Sequence, residues 1–150
     1  MNGSLHDQKV LVIGRGSGIA RAVAVAARDA GAHVVATGRA QEKLAVTYAG
    51  EPGISTETVD VTDEESIAAI GKRLGAVHHV VSTASAGVAA TKITVGTLGV
   101  AITNAAADTL ARSLALELAP IRVNAISPGV IDSGAWDALG EEGKAAYYAP

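Results

Sequence analysis

The chain reads as an α/β fold, a doubly wound parallel sheet with helices on both faces. Three observations predict it. Short runs that are apolar throughout, such as Val10-Leu11-Val12-Ile13, alternate with stretches of helical period. That is the pattern of strands buried between crossover helices. The first run enters a glycine-rich turn, Gly14-Arg15-Gly16-Ser17-Gly18-Ile19-Ala20, that opens a helix. Three strand–helix units then follow one another, with a fourth strand after them. Right-handed crossovers between them place a ligand at the carboxyl ends of the strands.

The elements follow in order. The first strand is Lys9–Ile13, and the helix after it covers Gly18–Ala30. Its predicted inward face holds Ile19, Val23 and Ala26 or Ala27, and Gly31 is its natural stop. A second strand, His33–Thr37, leads through Gly38-Arg39 to a helix over Gln41–Tyr48 that ends near Gly50. The third strand is predicted at Thr56–Val61. Thr62-Asp63-Glu64-Glu65 then reads as a capping box, with Thr62 as cap and Glu65 reaching back, ahead of a helix over Glu64–Leu74. The fourth strand is predicted at Val77–Thr83. Residues 84–99 show no clear period. A long helix over Val100–Leu118 follows, with Leu110, Leu114 and Leu118 one turn apart and Pro120 at its end. A fifth strand is predicted at Ile121–Ile126, and a short helix within Ser133–Tyr148.

Composition narrows the class. At 150 residues, 49% apolar and 18% charged, the chain is long enough for one domain with a real core. The net charge of −3 comes with both signs spread along the chain, so nothing suggests a nucleic-acid surface. No cysteine is present, which excludes disulfides, thiolate metal sites and a cysteine nucleophile. It also fits a cytoplasmic setting. No apolar stretch is long enough to span a bilayer, and no signal segment opens the chain. Phenylalanine is absent, so the core must be built from Ala, Val, Leu and Ile.

Several residues are candidates for a site. Glycines at 14, 16 and 18 let backbone approach a ligand, and the helix that starts there aims N–H groups at the turn. That suits a pyrophosphate. A sheet of this kind often carries an acidic residue near the end of the second strand, for ribose hydroxyls. Here stands Thr37-Gly38-Arg39 instead. Arg39 is either a solvated surface residue or a partner for a 2′-phosphate, with Arg15 assisting, which favours NADP(H) over NAD(H). Asp60 is either an ordinary turn aspartate or an acceptor for the adenine amino group. His78 and His79 are adjacent on a predicted strand and face opposite sides, so they cannot chelate one metal. They read as core or surface histidines, and no metal site is expected.

Taken together, these residues resemble the short-chain dehydrogenase/reductase superfamily. The matching pieces are Gly14-x-x-x-Gly18-Ile19-Ala20, Thr37-Gly38-Arg39 with Leu44, and Asp60-Val61-Thr62. More specific still are Arg112-Ser113-Leu114-Ala115-Leu116-Glu117-Leu118-Ala119-Pro120 and Ile121-Arg122-Val123-Asn124-Ala125-Ile126-Ser127-Pro128-Gly129-Val130-Ile131-Asp132-Ser133. The resemblance runs over residues 8–143. It implies a Rossmann-like fold and hydride transfer between NADP(H) or NAD(H) and a carbonyl or alcohol substrate. Gly14, Arg15, Gly16, Ser17, Gly18 and Ile19 would hold the pyrophosphate and ribose. Arg39 would meet the adenosine end, and Asp60 with Val61 the adenine. Thr83, Ala84 and Ser85 stand where the family has a turn under the cofactor. Pro128, Gly129, Val130 and Ile131 would flank the nicotinamide, and Ser133 replaces the usual threonine near the carboxamide. A homo-oligomer is also implied.

Two departures stand out. The family's Tyr-x-x-x-Lys pair falls on Val100 and Asn104. Valine has no proton to exchange and asparagine no charge, although Asn104 can still hydrogen-bond a ribose. The second is length. Relative to the family, a single NAD(P)-binding domain over residues 1–150 lacks a helix–strand unit near residues 86–99 and the closing portion. Either the polypeptide is abridged or it is longer than these residues. The catalytic residues are therefore unknown. The alternative to an oxidoreductase is a non-catalytic dinucleotide-binding protein, a sensor or a structural subunit.

Overall fold

The computed structural model describes residues 4–14, 16–83, 98–120, 122–126 and 140–148. Its elements run β1 (Lys9–Ile13), α1 (Gly18–Asp29), β2 (His33–Gly38), α2 (Gln41–Thr47), β3 (Ile54–Thr58), α3 (Glu64–Leu74), β4 (His79–Ser82), α4 (Leu98–Glu117) and α5 (Gly140–Tyr148). The chain divides into two compact units, one holding the four strands with α1–α3, the other α4 and α5.

In the first unit the strands form one sheet in the order β3-β2-β1-β4. All three pairings are parallel. The chain winds outward from β1 to β3, then returns to the other side of β1 for β4. The point where winding reverses lies between β1 and β4, the place beyond the strand ends where sheets of this kind bind ligands. β1 pairs Val12 with Ala36 on one side and with Val81 on the other.

Alternation along the strands splits the core in two. Val10 and Val12 of β1 and Val34 and Ala36 of β2 pack with Ala20, Ala24 and Ala27 of α1 and with Leu44 and Tyr48. These positions are nearly sealed from water, which is worth roughly 1.5–3 kcal/mol for each large side chain. The predicted inward face of α1 is corrected here. Ile19 is 38% exposed, while Val23 and Ala27 face inward as predicted and Ala20 and Ala24 join them. Only small side chains let α1 lie this close to β1, because any Cβ on Gly14 would sit 2.7 Å from the Ala20 Cβ. On the opposite face, Leu11 and Ile13 meet Ile67, Ile70 and Leu74 of α3 around an apolar cavity of about 220 Å³.

Three further expectations are corrected. β3 begins two residues earlier than predicted and ends at Thr58, because pairing with β2 carries Ile54 to Val34 and Thr58 to Gly38. The cap of α3 is Asp63, whose carboxylate accepts from the Glu65 N–H at 3.0 Å, while Thr62 bonds to Asp60 instead. β4 is shorter than predicted and begins at His79, so His78 precedes the strand and its Nδ1 accepts from the Lys9 N–H. The two histidines do not meet, and among the described residues no cluster of metal-ligating side chains exists.

In the second unit α4 is as long as predicted, and none of its described residues is buried. Leu98, Ile102, Leu110 and Leu116 are all exposed. Residues 122–126 are not a strand, contrary to expectation. Their alternating Arg122-Val123-Asn124-Ala125-Ile126 pattern suits a strand only where another strand lies beside it to pair with. No helix among the described residues is long and apolar enough to cross a membrane.

Gly71 sits inside α3 with nothing within 4 Å of where a Cβ would go. Gly71→Ala should therefore raise stability by about 0.5–1 kcal/mol through backbone entropy alone. Urea unfolding checks this, and a lowered midpoint would show that the space beside α3 is not open.

Candidate functional site

The site grows from the ends of the strands. β1, β2 and β4 finish side by side because their register ties Ile13 to Thr37 and to Ser82. The Gly14 N–H donates to the Thr37 carbonyl at 2.9 Å, and the Thr83 N–H donates to the Ile13 carbonyl at 2.8 Å. The Thr83 hydroxyl adds a second bond to the same carbonyl. These bonds pull three chain ends into a space that admits no side chain at two positions. A Cβ on Gly14 would lie 2.3 Å from Thr83 Oγ1, and one on Gly38 would lie 2.5 Å from the Gly14 carbonyl oxygen. Both contacts are far inside van der Waals distance, so glycine is obligatory at 14 and 38.

The turn continues with Gly16 at φ +73° and Gly18 at φ +55°. Left-handed backbone of this kind strains any residue with a Cβ. Gly16 is also pressed on Leu44, whose Cδ2 would be 3.0 Å from an added Cβ. Ser17 between them is extended and exposed.

The opening of α1 is left without a cap. Ser17 holds the N-cap position, yet its hydroxyl makes no capping bond, and the first turn carries no acidic residue. The leading N–H groups of the helix therefore lack the partners that Ser and Glu ordinarily supply. They point outward past a glycine turn at a sheet's switch point. An anion placed there gains the helix dipole, about 0.3–1 kcal/mol, together with those N–H bonds.

Two further candidates lie at the same edge of the sheet. Arg39 follows β2 directly, is exposed, and makes no ion pair or hydrogen bond with a described residue. Asp60 lies two residues beyond β3, not at its end. Its Oδ1 accepts from the Thr62 N–H at 2.9 Å and from the Thr62 hydroxyl at 2.7 Å. These bonds, with the nearby charge of Arg39, hold the Asp60 carboxyl below the usual carboxylate range, against a small opposing effect of burial. Asp60 is thus engaged as a turn aspartate through Oδ1. Val61 beside it is 43% exposed.

Some site residues were missed by sequence reasoning. Gly38 was read as a plain turn residue, and its signal was its place at the end of a strand beside a glycine turn. Ser66, whose hydroxyl accepts from the Asp60 N–H at 3.0 Å, fixes the loop after β3. Tyr48, at the end of α2, packs in the same core cluster as Leu44. Of the remaining predicted residues, Arg15, Ala84, Ser85, Pro128, Gly129, Val130, Ile131 and Ser133 lie outside the described residues. Val100 and Asn104 both fall within α4, in the second unit.

The first unit is thus a Rossmann-like α/β domain with a glycine turn at its switch point. Comparison with known proteins agrees. Residues 8–96 match the family model of the short chain dehydrogenases, and residues 74–149 that of enoyl-(acyl carrier protein) reductase. The chain belongs to the short-chain dehydrogenase/reductase family, whose members are NAD(P)(H)-dependent oxidoreductases. It is 37% identical to an L-xylulose reductase of Mesocricetus auratus over 75 residues, 47% of this chain and 31% of that one. It is 38% identical to a 2-keto-3-deoxy-L-fuconate dehydrogenase of Xanthomonas campestris over 69 residues, 46% of this chain and 23% of that one. The aligned stretches thus span less than a third of either relative. A short-chain type dehydrogenase/reductase from Mycobacterium ulcerans superposes with a TM-score of 0.75 at 26% identity, over 95% of this chain and 74% of that one. A family member of unknown function from Caenorhabditis elegans, solved with cofactor, gives 0.74 at 24% identity over 96% and 78%, and shows the fold alone.

The bonds to Asp60 have a consequence in acid. A carboxyl held below its ordinary range stabilises the turn fully above about pH 4, and that contribution is lost as pH falls through its lowered value. A ¹³C NMR titration of the Asp60 carboxyl should therefore show a midpoint below the ordinary aspartate value, and Thr62→Ala should move it upward. An unmoved midpoint would remove the Thr62 hydroxyl as a cause and leave its backbone N–H.

Proposed function

We propose that this protein is an oxidoreductase of its family that holds NADP(H) in preference to NAD(H). Its chemistry would be passage of hydride between nicotinamide C4 and a carbonyl or alcohol carbon of a small-molecule substrate. The observation that carries the reading is the uncapped start of α1 behind a turn where Gly14 and Gly38 tolerate no side chain. A turn needed only for chain reversal would not leave a helix terminus bare beside the sheet's switch point.

The proposed roles follow from that placement. Gly14, Arg15, Gly16, Ser17, Gly18 and Ile19 take the pyrophosphate and its ribose. Thr83, which follows β4, would lie under the cofactor, and Ala84 and Ser85 would share that role. Asp60 Oδ1 is committed to Thr62, so Oδ2 and the Val61 backbone are left for the adenine. Arg39, with no described ion pair, takes the 2′-phosphate. Asn104 would meet a ribose hydroxyl, and Pro128, Gly129, Val130, Ile131 and Ser133 would orient the nicotinamide. The exposed apolar residues of α4 support a homo-oligomer.

A second reading has its own observation. Val100 and Asn104 occupy the positions of the family's proton-exchanging tyrosine and its lysine. A chain that binds the dinucleotide without turning it over, as a sensor or a stabilising subunit, fits those residues. The two readings part on one assay. NADPH should give a saturable fluorescence change, and the oxidoreductase reading also requires its oxidation by at least one member of a carbonyl panel. Binding without oxidation favours the sensor, and no binding removes both.

Arg39→Ala should weaken NADPH far more than NADH, by about 1.5–3 kcal/mol for loss of charged hydrogen bonds. Titration of both cofactors against both proteins measures it. Equal weakening of the two would remove Arg39 from the 2′-phosphate.

A further inference from the structure

One polar group in the core of the first unit lacks a hydrogen-bond partner. The Tyr48 hydroxyl is buried, with no partner atom within reach. The residue as a whole is 6% exposed, too enclosed for bulk water to serve it. An unsatisfied buried hydroxyl is costly to a fold, and native structures rarely keep one without a use.

The surroundings of Tyr48 narrow that use. The residue belongs to a buried cluster of valines, alanines and Leu44, none of which offers a side-chain acceptor. Arg21 lies near enough to influence its ionisation, but its Nη2 is bonded to Glu51 at 2.7 Å and, as a donor only, it offers the hydroxyl hydrogen no acceptor. The glycine turn also lies beside the ring. A Cβ on Gly16 would stand 4.0 Å from Tyr48 Cε2, the ring carbon next to the one bearing the hydroxyl. Gly16 precedes α1, so its carbonyl is outside the helix ladder, and it makes no backbone bond with a described loop or strand residue. At φ +73° it also belongs to the part of the chain with most freedom to change its peptide orientation.

We propose that Tyr48 is a positioning residue for the glycine turn, its hydroxyl donating to the turn backbone at Gly16 when a dinucleotide pyrophosphate is held at the start of α1. The inference rests on the nucleotide reading above and adds a mechanism to it. A hydroxyl unsatisfied before binding and satisfied after it makes the ordered turn more favourable only in the complex. The group then contributes to affinity while contributing nothing to the stability of the free protein.

Tyr48→Phe removes the hydroxyl and keeps the ring. The expected result has two parts of opposite sign. The unfolding midpoint of the free variant equals or exceeds that of the parent, and its NADPH dissociation constant rises about five- to tenfold, the size of one neutral hydrogen bond. A purely structural tyrosine would not separate these two readings. Unchanged affinity overturns the proposal, as does a variant that loses stability and affinity together. A second measurement does not depend on that variant. In Tyr147→Phe/Tyr148→Phe protein, Tyr48 is the sole tyrosine of the three in the chain. Its ¹³Cζ resonance should move on saturation with NADPH, and a stationary resonance overturns the proposal. If the parent protein binds no NADPH, the nucleotide reading fails first and this inference with it. Parent binding with an indifferent Tyr48 sinks the inference alone.

Discussion

Everything at the candidate site depends on how closely three chain ends approach one another. The Gly14 N–H reaches the Thr37 carbonyl, Thr83 reaches back to Ile13, and Gly38 lies against the Gly14 carbonyl. Those contacts exist only because residues 14 and 38 have no Cβ. The pinch fixes where the turn leaves the sheet, and hence where α1 begins. A helix start displaced by a single residue would swing its N–H groups away from the switch point by about 100°, since each residue turns the helix by that angle. Backbone packing, more than any charged side chain, therefore sets the direction in which the anion site points.

The same constraint reaches into the core. A helix that starts hard against β1 must continue close to it, and close approach selects small side chains. α1 meets it with Ala20, Ala24 and Ala27, while its larger Ile19 is turned partly outward. The loss of buried area per residue is offset by dense contact across a short separation. A chain without phenylalanine is consistent with this arrangement. Bulk enters instead from α2, where Leu44 and Tyr48 fill the space beneath Gly16 and beside the sheet. Glu51, bonded to both Arg21 and Arg28, then ties the loop after α2 back to α1. These pairs, half-buried at Arg28 and more open at Arg21, fix the loop's position.

How far the sequence disclosed this can be judged from particular residues. β1 and α3 were legible to the residue, because an apolar run ending in glycine and an acidic start to an amphipathic segment are local signals. β3 was not, since Ile54-Ser55-Thr56-Glu57-Thr58 is half polar and its bounds come from pairing with β2. The cap on α3 was misplaced by one residue because Thr62 and Asp63 are both good caps, and only the bond between Thr62 and Asp60 decides between them. On α1 periodicity found Val23 and Ala27 but missed Ala20 and Ala24, because it points to large apolar residues such as Ile19, and here distance between layers overrode size. Residues 122–126 failed as a strand because strand formation is a property of a pair, which no single segment carries. At the site, glycines 14, 16 and 18 announced themselves by spacing. Gly38 and Tyr48 are recognisable only once the turn has been folded against them.

Chemistry sets the last constraint. Reduction of a carbonyl by hydride leaves an alkoxide, which must take a proton within the lifetime of the complex. Under the proposed reading the position for that donor falls on Val100, and that of the partner that would lower a donor's pKa on Asn104. Neither can be improved by geometry, because Val100 has no ionisable atom and Asn104 no charge at any pH. Of the three tyrosines, Tyr48 is buried beneath the glycine turn, and its burial pushes the phenol up from its ordinary range, the wrong direction for a proton donor. Tyr147 and Tyr148 close α5. The nucleotide end of the site is therefore built from backbone that cannot easily be altered, while the proton end rests on side chains that cannot do the usual work. Turnover under the proposed reading would need a proton that reaches the substrate from solvent or from a group other than this pair.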